Sequence, residues 1–76
     1  MKPSHDQHND FLAHRPLPGV VFEHNDPVEV IGGGHVGDFG AIVSVERLGD
    51  DPAYLVELSS GQDAVISQSL LRLVEA

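Results

Sequence analysis

From Pro27 onward the chain alternates between apolar and polar positions. Val28-Glu29-Val30-Ile31 opens this pattern, and a period of two marks a half-buried strand. Ala41 to Leu48 is rich in β-branched residues and predicts a second strand. Gly49-Asp50-Asp51-Pro52 then reads as a turn. Tyr54-Leu55-Val56-Glu57-Leu58 predicts a third strand, with Tyr54, Val56 and Leu58 on one face and Val56 and Leu58 as its core pair. Ser59-Ser60-Gly61-Gln62 turns the chain again, and Asp63 to Ile66 predicts a short fourth strand. Ser67-Gln68-Ser69 fits a one-turn helix with Ser67 as its N-cap, and Leu71-Arg72-Leu73-Val74 a last strand. Five short strands joined by tight turns predict an all-β fold, a small barrel or sandwich. Closure into a barrel also removes the open edges of so small a sheet.

The pattern breaks at Asn25-Asp26-Pro27. Residues 1–25 hold four of the five histidines and three of the five prolines. Met1 to Asp10 is polar and is expected to be disordered or frayed. Phe11-Leu12 and Val20-Val21-Phe22 are apolar enough to pack on a folded body. Arg15-Pro16-Leu17-Pro18-Gly19 between them admits neither a regular helix nor a central strand, because proline fixes φ and lacks the N–H. The chain therefore divides into an N-terminal extension, 1–25, expected to be flexible and mostly irregular, and a β domain, 26–76.

Between the first two strands lies Gly32-Gly33-Gly34-His35-Val36-Gly37-Asp38-Phe39-Gly40, with five glycines in nine positions. Such a segment asks for left-handed backbone or tight turns. The spacing Val28-x-Val30-Ile31-x-Gly33-x-x-x-Gly37-x-x-Gly40-x-Ile42 resembles the KOW motif of certain ribosomal proteins and transcription factors. The resemblance extends over residues 27–74 and implies an SH3-like barrel of five strands. It also implies a nucleic-acid or ribosome-associated role, since KOW modules that bind RNA carry Lys or Arg in this loop. Here the loop offers His35, Val36, Asp38 and Phe39 instead.

Charge bears on that implication. The whole chain has 4 Lys+Arg against 12 Asp+Glu, a formal net of −8. Residues 27–76 carry two cations, Arg47 and Arg72, against eight acids, a net of −6. A phosphate backbone approaching this domain meets repulsion rather than counterion release. The charge balance thus points away from nucleic acid and toward protein partners with a basic or apolar surface.

Candidate chemistry is sparse. No cysteine is present, so disulfides and thiolate metal sites do not arise. His5 and His8, three apart and flanked by Asp6 and Asp10, would show two imidazoles on one helical turn. No third ligand is fixed beside them in sequence, so no metal site is assigned, although a metal- or pH-responsive role for the histidine-rich start is a further reading. Arg15-Pro16-Leu17-Pro18 is half of a proline-rich ligand and fits a polyproline-like linker. No serine sits in a nucleophile elbow, and Ser59, Ser60, Ser67 and Ser69 suit turns and caps. No catalytic activity and no cofactor are expected.

His35, Val36, Asp38 and Phe39 remain as the candidate binding residues. Either they form exposed contacts of a binding loop, or Val36 and Phe39 cap the core while the glycines serve turn geometry. With no secretory h-region and no apolar run of membrane-spanning length, a cytoplasmic, membrane-free protein-interaction module is expected.

Overall fold

The structure, a computed structural model, describes residues 1–75. One helix, α1 (His5–Leu12), precedes five strands: β1 (Pro27–Val30), β2 (Phe39–Arg47), β3 (Ala53–Leu58), β4 (Asp63–Ser67) and β5 (Leu71–Leu73). A one-turn 3-10 helix, Gln68–Leu70, links the last two. The strands form one antiparallel sheet in the order β4-β3-β2-β1-β5. The domain is thus mostly β, with one short N-terminal helix.

Period-two patterning places one side chain in two on the inner face. Val28 and Val30 of β1, Ile42 and Val45 of β2, Tyr54, Val56 and Leu58 of β3, Ile66 of β4 and Leu71 of β5 are buried there. The spacing of three between Ile42 and Val45, which departs from period two, is accommodated by register shifts between Ile42 and Ser44 and between Val45 and Arg47. Such bulges bend a strand and increase its twist. Tyr54 belongs to the core as fully as Val56 and Leu58: all of its surface is buried.

Two of the three aromatic rings around the core centre come from the N-terminal segment. Phe22 meets Tyr54 edge-on at 5.4 Å between centroids, and Phe11 lies at 6.1 Å. The edge-on and tilted arrangements suit the ring quadrupoles. The expectation that Met1–Asp10 is disordered is overturned here. Ser4 accepts from the Gln7 N–H at 3.1 Å, and the Gln7 side chain accepts from the Ser4 N–H at 2.8 Å, a complete capping box. Eight polar-rich residues make a marginal helix alone, and burial of Phe11 supplies the rest.

After α1 the chain closes with a Schellman-type end: His14 N–H bonds to Phe11 O at 3.1 Å and Arg15 N–H to Asp10 O at 2.8 Å. From Ala13 to Asp26 it forms no helix or strand, as the prolines require. This strap is fastened by Gln68. Its side-chain oxygen accepts from the Val21 N–H at 3.2 Å and from the Tyr54 hydroxyl, and its amide donates to Gly19 O at 3.2 Å.

Candidate functional site

The glycine loop is built by backbone bonds that fold β1 onto the start of β2. Gly37 N–H donates to Val30 O at 2.8 Å and Val30 N–H to Asp38 O at 2.9 Å. Inside the loop Asp38 N–H reaches His35 O at 3.0 Å. Gly37 sits at φ 91°, left-handed backbone that a side chain would strain. Gly40 is required for another reason. A Cβ there would lie 2.5 Å from the Glu57 carbonyl oxygen and 2.9 Å from Val56 Cγ1, so only glycine lets β2 and β3 approach this closely.

The four predicted residues separate into four places. Asp38 is a tie: its carboxylate accepts from the Phe39 N–H at 2.8 Å and from the Ser59 hydroxyl at 2.6 Å. The Ser59 hydroxyl, and next the Phe39 N–H, hold its pKa below the usual aspartate value. Asp38 thereby joins the loop to the β3–β4 turn. His35 faces a small hollow of about 160 Å³ with Gly32, Val65 and Leu70. Val36 is 63% exposed at the loop turn. Phe39 lies in β2 itself, not in the loop, and is 49% exposed. Neither Val36 nor Phe39 caps the core.

Phe39 instead opens onto the outer face. Register sets Phe39 opposite Glu29, and Glu29 opposite Arg72. Arg72 and Glu29 form an ion pair. With Leu73, Val74 and Glu75 these residues line an open groove of about 790 Å³ along the β1–β5 edge. One row further on, Ala41 stands opposite Glu57 and Glu57 opposite Asp63. Glu57 and Asp63 are both exposed, and like charges directly opposite repel. The outer face thus combines a half-exposed phenyl ring with Glu29, Glu57, Asp63 and Glu75 and the paired cation Arg72, while Arg47 stands on the same face at the far end of β2, opposite Ala53.

Glu29 follows from the sequence once Val28 and Val30 are placed inward. Leu73 does not: it points inward by register with Val28, yet at the short end strand it stays 42% exposed. The serine hydroxyls serve as ties: Ser69 donates to Asp51 at 2.8 Å, and Ser67 accepts from Arg47 at 3.0 Å. Ser67 stands at the N-cap of the 3-10 turn, but its side chain makes no capping bond. Asp51 is held below the usual aspartate range by the Ser69 hydroxyl and N–H.

His5 and His8 lie within α1, three residues apart. Among the described residues no group of three or more His, Cys, Asp or Glu side chains could hold a metal ion, and no helix is long and apolar enough to cross a membrane. Comparison with protein-family models, with curated proteins and with solved structures finds no match.

Proposed function

We propose that this chain is a KOW-like SH3 barrel that acts as a protein-interaction module, with a basic, partly apolar partner segment lying on its outer face. The observation that carries this reading is Phe39, half-exposed on a strand above an open groove and bordered by acids. A large apolar ring left in solvent on a rigid strand is a natural anchor for a partner. The surrounding acids would steer a basic segment toward it. Barrel closure is supported by the strand order, the two irregularities that bend β2, and the 3-10 turn that carries the chain from one edge strand to the other. Nucleic acid fits poorly, because the outer face would set carboxylates against phosphates.

The test is affinity capture from native lysate with the wild-type chain and Phe39→Ala, followed by direct titration of the captured protein. We expect Phe39→Ala to weaken that complex at least about tenfold, the effect of one anchor residue, and added salt to weaken it further. Equal capture by both forms removes the groove from the function. Binding of RNA at low salt would replace this reading with the nucleic-acid one.

A further inference from the structure

Strand β4 stands at the end of the strand order, beyond β3. Its ladder to β3 is bracketed by Leu58 N–H to Gln62 O at 2.8 Å and by Gln68 N–H to Pro52 O at 2.6 Å. Bonded pairs recur at every second residue of an antiparallel ladder. Ala64 and Ile66 therefore turn their backbone groups to β3, and Asp63 and Val65 turn theirs away. Among the described residues nothing bonds to the N–H or the C=O of Val65. An edge of this kind is a template for another strand.

The side chains beside this free backbone set what such a strand must carry. Asp63 stands opposite Glu57, both are exposed, and among the described residues neither pairs with a cation. Val65, 60% exposed, stands opposite the half-buried Leu55. Arg47 is engaged further along, at the Ser67 row, where its guanidinium donates to Asp51 O at 2.8 Å and to the Ser67 hydroxyl at 3.0 Å. Residues directly across a strand pair are the ones that interact. An incoming strand thus meets an unrelieved carboxylate and, two positions on, an exposed isopropyl group. Past Val65 the glycine loop comes up to the edge around the hollow of about 160 Å³ between Gly32 and Ser67, so the added strand is short.

We propose that β4 docks an extended segment of a partner protein as an added antiparallel strand, with Lys or Arg beside Asp63 and a β-branched residue beside Val65. One residue of that segment exchanges both backbone bonds with Val65. Its side chain covers Val65 and Leu55, and the cation two positions away relieves the repulsion between Glu57 and Asp63. Main-chain bonds give the affinity, and the alternation of basic and apolar positions gives the selectivity. The groove around Phe39 runs along the β1–β5 edge, at the other end of the strand order, so Phe39→Ala leaves this contact intact.

The experiment titrates the full chain with a short peptide of alternating lysine and valine, reading affinity by NMR shifts and pairing by amide exchange. The expected result is new protection of the Val65 amide, while the Ala64 and Ile66 amides, already bonded to β3, change little. A peptide of alternating glutamate and valine is expected not to bind. Asp63→Lys is expected to weaken the lysine peptide about tenfold. Val65→Pro is expected to weaken it at least as much, since it removes the outward N–H and no bond within the chain. Should Val65→Pro fail to fold, the Val65 amide of the wild-type chain decides. No binding at millimolar peptide, binding without Val65 protection, equal binding of the two peptides, or a loss on Phe39→Ala as large as that on Asp63→Lys each overturn the proposal. So does a free chain that is already dimeric with Val65 protected, which gives the edge to a second copy.

Discussion

The sheet and the strap hold by different means. Strands β1 to β5 bond to their neighbours by a ladder in which each pair supports the next. Residues 1–26 attach at discrete points: Phe11 and Phe22 against Tyr54, the Gln68 side chain, and the backbone bonds of Leu48 to Met1 O at 2.7 Å and of Asn25 to Ile42 O at 2.7 Å. Yet the N-terminal segment fills the centre of the core, because the sheet supplies one ring there, while α1 and the strap supply one each. A small domain without disulfides depends on every buried aromatic it has. The irregular region is thus structural, while the regular sheet carries the exposed Phe39.

This contrast is open to attack from either side. Phe22→Ala removes a buried ring from the strap, and we expect a loss of about 3–4 kcal/mol in urea unfolding. A cost below about 1 kcal/mol would make the strap a mere cover. Gly40→Ala attacks the sheet. Its new methyl meets backbone, which has no rotamer escape, so a loss of about 3 kcal/mol is expected, seen as a lower Tm. An unchanged Tm would show that β2 and β3 part easily.

Ser4→Ala opens the capping box and is expected to cost about 1 kcal/mol, with loss of hydrogen-exchange protection confined to α1. Protection lost in the sheet as well would mean that strap and sheet unfold as one unit. The smallest effect concerns acid. Asp38 and Asp51 are both held below their unfolded values. Their contribution is therefore fully present above the ordinary aspartate range, about pH 4, and is lost as pH falls through their lower folded values. Asp38→Asn should lower stability slightly at neutral pH, with the difference from wild type shrinking as pH falls through the folded value of Asp38. A difference that persists undiminished at low pH would contradict that assignment.

The strands were legible because burial on one face imposes a period of two, and Val28/Val30 and Tyr54/Val56/Leu58 display it openly. The turn at Ser67 was legible from local chemistry. Helix α1 was not read, although Ser4 and Gln7 stand at capping-box spacing. Its residues are weak helix formers, and the deciding term is Phe11 docking on Tyr54, a contact 43 positions away. Of the candidate site, Phe39 was legible as a residue but misplaced in the loop, since Gly40 beside it looks like loop rather than close strand packing.

Glu57 and Asp63 also bear on how the molecule meets copies of itself. Strand β4 is an edge of the sheet and shows Val65 to solvent, and such an edge invites pairing with another copy of itself. A second copy sliding alongside would bring its own Asp63 and Glu57 toward charges already unrelieved. Like charge thus opposes the pairing of β4 with a second copy of itself. Neutralising these two carboxylates would be expected to expose the molecule first to its own kind.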